Sequence, residues 1–545
     1  MVENGRQPII KTNTRYMTFA KRLYGMLLVT LVTLPAFGQG ITGARQVCDS
    51  GSAAGFECSN VDLIAWMDRS QLTTEPLATD PFGNTIQPSF QMNDMWGWEH
   101  DESGRSFLVV GRTNGTAFVE VTDPFNPVFL GELPSSEVDS QGNPRHSTWR
   151  DMKVYANHAY IVADGAPGHG MQVFDLTQLL TVTDPQVFSL TNHYTLVSSV
   201  HNIVINEDTG YAFAVGMGGG IEPCGSGLHI INLDDPANPE FIGCYAEFGT
   251  SRGGGGYTHD AHCVVYDGPD DDWSGSEICV NSNEQSVVFT DVTQKQAPST
   301  ISVGRYPATG YTHQGWLSDD HRYYFQGDEL DEARGTVGST RTIIWDVQDL
   351  DDPVVAGEFF AQRNTIDHNM YVRGHLLFQS QYVDGLRILD ISDAVNPIEV
   401  GFFDTHPSDA SVWAGSWSNY PFMKDNMVAA TSSTDGLFIM QPASSLVTAI
   451  ESGQELPEAV SLLDVYPNPF MSESMVEIVM TRTESVRVEL IDALGRSIQV
   501  LFKGTVSAGE TLRQYLPGDG LAAGMYLVRV QGESFETTRR IVKAR

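Results

Sequence analysis

"DGLRILDISDAVNPIEVGFF", residues 384–403, is the stretch whose reading decides the fold. Leu386, Ile388 and Ile391 mark an apolar strand, Asp390 ends it, an Asp/Asn/Pro turn follows, and a second strand closes the phrase. The phrase recurs as "GTAFVEVTDPFNPVFLGEL" (115–133), "HGMQVFDLTQLL" (169–180), "SGLHIINLDDPANPEFIGCY" (226–245), "SVVFTDVTQKQAPSTISVG" (286–304), "RTIIWDVQDLDDPVVAGEF" (341–359) and "DGLFIMQPAS" (435–444). Another strand pair precedes each copy, as in "HNIVINEDTGYAFAVG" (201–216) and "HNMYVRGHLLFQSQ" (368–381). About four short strands per unit is the rhythm of propeller blades. Seven copies therefore predict an all-β chain with a seven-bladed β-propeller over residues 93–443. A β-sandwich does not explain a sevenfold phrase, whereas a closed ring removes exposed sheet edges.

The bulk numbers agree. A chain of 545 residues exceeds one ordinary core, and 52 Gly with 26 Pro supply many turns. A formal net charge of −36 argues against nucleic acid as a partner, because phosphate binding needs a basic surface. Residues 1–38 read as a signal peptide, with Lys21 and Arg22, an apolar run Leu23–Leu34 and cleavage near Gly38; Met17 is an alternative start. That run is short of the ~20 residues that span a bilayer, and no later segment spans, so no transmembrane helix is expected in the mature protein. Residues 39–92 form a cysteine-bearing N-terminal segment. Export suits disulfides, and the simplest local pairing is Cys48/Cys58, Cys224/Cys244 and Cys263/Cys279.

The repeat phrases resemble LVIVD-type propeller repeats. From about Cys48 to Pro442 the chain looks like the secreted "choice-of-anchor B" bacterial proteins. The likeness rests on stretches such as "GSAAGFECSNVDLIAWM" (51–67), "WRDMKVYANHAYIVADG" (149–165), "GYTHDAHCVVYDGPD" (256–270) and "GYTHQGWLSDDHRYYFQGDELDE" (310–332). The resemblance implies a propeller and an exported location, and brings no settled activity.

After a polar linker at 444–463, residues 464–545 alternate apolar residues with turn signals, which predicts a small immunoglobulin-like β-sandwich. This segment resembles the C-terminal sorting domain of type IX secretion cargo. The residues that carry the likeness are Tyr466, Pro467, Asn468 and Pro469, then Gly495 in "DALGR", Gly524 and Tyr526 in "GMYL", and the basic close Arg539–Arg545. It implies the type IX secretion machinery as partner, and an extracellular protein that crosses the periplasm and is then attached to the outer-membrane surface or released.

Aligning the inner strand pairs by their turns puts His201, His313 and His368 at equivalent positions in blades three, five and six. Blade four offers His259 by its "GYTH" match, or His262 by strand length; blade two has Asp151. Imidazoles converging on an axis would suit zinc, copper, iron or nickel, with Asp151, Asp260 and Asp367 as orienting carboxylates. Repeats also copy residues without function, and a metal-free ligand pocket is a third reading. The acidic stretches 267–275 and 327–335 are candidate calcium loops or solvated turns. Two functions stay open. One is a binding scaffold for an extracellular ligand or partner; the other is a metal-dependent oxidoreductase or hydrolase, with no catalytic residue assigned.

Overall fold

The structure is a computed structural model. It describes residues 40–80, 86–218, 224–408, 413–447, 459–466, 473–492, 496–518, 520–521, 524–532 and 535–543. The signal peptide expected at 1–38 lies outside them, as do Pro467, Asn468, Pro469 and Gly495 of the expected sorting signal.

The chemistry of the repeat phrase explains its recurrence. The Asp or Asn ending the third strand of a blade accepts the backbone N–H two residues on: Asp175 from Thr177 (2.9 Å), Asn232 from Asp234 (2.7 Å), Asp291 from Thr293 (2.9 Å), Asp346 from Gln348 (3.0 Å) and Asp390 from Ser392 (2.9 Å). Each is a side-chain turn that starts the return. Within the turn, Asn126, Asn238 and Asn396 donate to Asp123, Asp235 and Asp393, which fixes the "D-x-x-N" half of the phrase. A register shift then bends the third strand against the fourth at the same place in blades one, three, four, five and six.

Seven sheets follow in chain order, antiparallel but for the short outer strand Gln186–Val187, which adds parallel to the first, with innermost strands Met92–His100, Arg150–Tyr155, Asn202–Asn206, Asp260–Val265, Thr312–Leu317, Met370–Arg373 and Ser416–Tyr420. Each innermost strand lies against the next, and the seventh lies against the first. Seven hydrophobic cores sit between neighbouring blades; that of blades seven and one joins Ile64, Leu437 and Ile439 to Met95, Leu108 and Val119. The ring is closed.

The N-terminal segment does not stand apart. Val61–Met67 is the outer strand of blade seven, paired with Gly436–Pro442. Phe56–Ser59 and Ser52–Ala53 extend blade six. The ring is thus closed by strands from both ends of its sequence. Gly436, at φ 110°, permits this closure, since a Cβ there would meet the Met67 carbonyl at 2.1 Å. The cysteines pair as Cys48–Cys58, Cys224–Cys244 and Cys263–Cys279.

The C-terminal domain is two sheets around its own core, including Val476, Ile478, Val488, Leu490, Val528 and Ile541. Its first strand, Val460–Tyr466, starts inside the stretch expected to be linker, and Ala459 already belongs to the core. Tyr526 and Gly524 lie on the strand Gly524–Gln531. Among the described residues no helix is long and apolar enough to cross a membrane.

Candidate functional site

The inner strands bring their first residues together at one mouth of the axial channel. Trp149, Arg150, His201, His259, His313, His368 and Trp417 line a small void of about 10 Å³ there, room for one water or ion. Successive imidazoles follow one another around the ring, tilted by 42–50°, with centroids 4.3 Å (His201–His259), 4.3 Å (His259–His313) and 4.5 Å (His313–His368) apart. Trp417 continues the series at 4.6 Å from His368.

The backbone sets the tautomers. Nδ1 of His259 donates to the His313 carbonyl (2.9 Å), and Nδ1 of His368 donates to the Trp417 carbonyl (2.6 Å). A carbonyl only accepts, so Nδ1 carries the proton and the neutral ring keeps a lone pair on Nε2. The His368 carbonyl favours a proton on His313 in the same way, although Nδ1 of His313 completes no hydrogen bond of ordinary geometry. Nδ1 of His201 meets the Asp164 carboxylate at 3.0 Å instead. Burial, then the neighbouring histidine charges, hold His259 and His313 well below the usual imidazole range; burial pushes His368 down to about 3. These three rings are neutral at any ordinary pH.

A second carboxylate reaches the ring. Glu329 Oε2 stands 3.8 Å from His313 Nε2, and its Oε1 stands 3.9 Å from His368 Nε2. One ligand atom from each of His313, Glu329 and His368 lies within 4.8 Å of the others. Tyr382 donates its hydroxyl to Glu329 Oε1 (2.8 Å). Tyr382 sits at φ 37°, a costly conformation for a bulky residue, and is held there by paired backbone hydrogen bonds with Ser416. Burial raises Glu329 to about 7.

Several expectations need correction. His262 is not part of the ring; it lies deeper in the channel, stacked on Trp316 at 3.7 Å, with Nδ1 accepting the Leu317 N–H. The carboxylates expected to orient the rings do not touch them. Asp151 accepts from Met152 and Ile203 backbone N–H and from Lys153. Asp260 accepts the Ala261 N–H. Asp367 is 1% exposed and neither oxygen has a side-chain partner among the described residues; burial, then Asp331, drives its pKa well up. The orienting carboxylates are Asp164 and Glu329, which leave the second strands of blades two and five. Aligning those exits, in "IVADG" and "FQGDE", would have brought both into view.

Blade two supplies no ligand. Arg150 is turned away, donating to the Arg112 carbonyl (3.0 Å) and to His169 (2.7 Å). In 327–335 the acidic residues are not solvated, although 333–335 are exposed. Asp328 and Asp331 are fully buried, Asp331 is paired with Arg341 at 2.7 Å, and Asp328 accepts from Tyr306 and Gly310. In 267–275, Asp270 comes near Asp349 and Asp351, but Asp270 already accepts the Leu350 N–H and Asp351 the Trp273 indole N–H.

The next residue along each inner strand behaves differently. Asp94, Asp151, Asn202, Asp260, Gln314, Asn369 and Ser418 form a polar ring just inside the histidines. Gln314 bonds both backbone groups of Met370 (3.0 and 2.9 Å), Asn202 donates to the His259 carbonyl (3.1 Å), and Asn369 donates to Asp94 (2.8 Å) and Ser418 (3.2 Å). These bonds run from blade to blade.

Residues 464–544 match the secretion system C-terminal sorting domain. The chain therefore carries a type IX secretion tail, which implies handling by that machinery, export, and outer-membrane or surface association. No curated protein matches the chain. Among solved structures it is similar to a protein from Lactobacillus plantarum (10% identity, 78% of this chain and 99% of that one, TM-score 0.42). It is also similar to the C-terminal WD40 domain of Sif2 (8%, 74% and 96%, TM-score 0.39). A third similar structure is PorZ, described as an essential bacterial surface component of the type IX secretion system of Porphyromonas gingivalis (12%, 90% and 56%, TM-score 0.33).

Proposed function

We propose that this protein is an exported surface propeller of the LVIVD type, and that it binds a transition-metal ion at the histidine-lined mouth of its channel. His313, His368 and Glu329 are the ligands, and His259 stands next in the ring. The observation that carries this reading is the gathering of one ligand atom from each of His313, His368 and Glu329 within 4.8 Å of one another. Tetrahedral zinc with bonds near 2.0–2.2 Å separates its ligands by about 3.3–3.5 Å, so these side chains would draw closer together on binding. Neutral imidazoles suit zinc, copper, iron or nickel and give calcium nothing.

A metal-dependent reaction at the same mouth is the second reading. It is favoured by Arg150 and Trp417, which leave part of the ring without a donor, as open catalytic sites require. Elemental analysis of the full chain, purified without a histidine tag, tests metal binding. One ion per chain, lost in His313→Ala plus His368→Ala, is the expected result; a metal-free native protein, or an ion retained by the double variant, overturns it.

A further inference from the structure

Beyond the polar ring the channel widens into a chamber of about 350 Å³, at the small end of ligand pockets (~300–1,000 Å³). Its wall is divided by chemistry. Blades one, five, six and seven bring Trp96, Trp316, Tyr371, Tyr420 and Phe422 to one side, in edge-on or tilted pairs with centroids 5.0–6.3 Å apart. Blades two, three and four bring Lys153, Glu207 and Asp260 to the other, with Gln314 beside them. Glu207 is exposed, and Lys153, Trp316 and Tyr420 are half-buried, so solvent reaches the space.

The charges narrow the ligand. Lys153 Nζ donates to Asp151 Oδ1 (2.7 Å) and lies 4.6 Å above the Trp96 ring, so the cation position on that face is already taken. A permanent cation would meet the Lys153 ammonium. An anion would meet the exposed Glu207 carboxylate. A wholly apolar ligand would strip water from Lys153, Asp260 and Glu207 without replacing their hydrogen bonds. A neutral ring with an apolar face and hydroxyls along its edge satisfies both walls. His262 completes the design: stacked on Trp316 at 3.7 Å and 19°, with Nδ1 held by the Leu317 N–H, it fixes the plane of that indole.

We propose that this chamber is a carbohydrate site for a neutral mono- or disaccharide, with the half-buried Trp316 and Tyr420 as the stacking surface and Lys153, Asp260 and Glu207 as the hydroxyl partners. The site is separate from the histidine mouth and does not depend on a metal there.

Calorimetry and tryptophan emission on the full chain test this, with maltose, cellobiose and N,N′-diacetylchitobiose as probes and choline and citrate as charged controls. At least one disaccharide is expected to bind and shift the emission, with the same affinity in chelator-treated and metal-loaded protein. Trp316→Ala should weaken it by about tenfold or more. Lys153→Met, on the opposite wall, should weaken it too, and decides the matter if Trp316→Ala does not fold. The proposal is overturned if none of the three disaccharides binds, if choline or citrate binds in preference, or if the Lys153→Met protein binds as the wild type does.

Discussion

The histidine ring and the polar ring differ by one residue along the same strands, yet they do different work. Both were copied with the blades, so recurrence alone cannot separate structure from function. What separates them is the atoms left over. Gln314, Asn202 and Asn369 use their amide groups on neighbouring blades. His259 and His368 use Nδ1 on the next blade and turn the other nitrogen to no protein donor. The lesson is that one side chain can hold the ring in register and still keep a ligand atom to spare.

The largest expected effect lies in the polar ring. Asp151→Ala removes the carboxylate to which the half-buried Lys153 and the buried Ile203 N–H both donate. It should cost about 3–5 kcal/mol in urea unfolding while metal content stays at one ion per chain. Loss of the metal in this variant would erase the distinction between the rings. The reverse pattern is expected of His313→Gln plus His368→Gln: metal affinity falls about a hundredfold or more, with melting little changed. A collapse in melting temperature with no change in metal would make the histidines structural.

A carboxylate with every oxygen used offers a third test, away from the channel. In the C-terminal domain Glu489 accepts from Arg487 (2.9 Å), Ser497 (2.7 Å) and Arg529 (3.0 Å), and these bonds, Arg487 first, hold it down to about 2. A depressed folded value means its stabilisation is complete above the unfolded value of 4.5 and is lost as pH falls toward 2. Glu489→Gln should therefore weaken the domain by about 2 kcal/mol at neutral pH, with the difference shrinking at pH 4, read by hydrogen–deuterium exchange of its strands. A pH-independent difference would show that charge is not the cause. The smallest effect is expected of Tyr382→Phe, which removes the donor to Glu329; metal affinity should fall about tenfold without loss of fold.

Much of this was legible in the sequence because a repeat amplifies weak local signals sevenfold. The Asp-ended strands and Asn/Pro turns gave away the third and fourth strands, and the histidine starts gave away the mouth. What stayed hidden is long-range or depends on side-chain direction. Val61–Met67 carries no mark of its partner, Gly436–Pro442, which lies more than three hundred residues on. His259 and His262 are three apart, and their two alignments put different residues at the mouth; the backbone bond from His259 N to the Ser282 carbonyl settles which one it is. Asp367 adjoins His368 in sequence, but successive side chains point to opposite faces, and it is buried away from the imidazoles. Asp164 and Glu329 were missed because they enter from the second strands.

The most direct test is anomalous diffraction from crystals of the full chain grown with the metal found by elemental analysis, collected at that metal's edge. The account predicts one peak at about 2.0–2.3 Å from Nε2 of His313, Nε2 of His368 and a Glu329 oxygen. No peak at the mouth, or a peak only beside Asp270, Asp349 and Asp351, would contradict it.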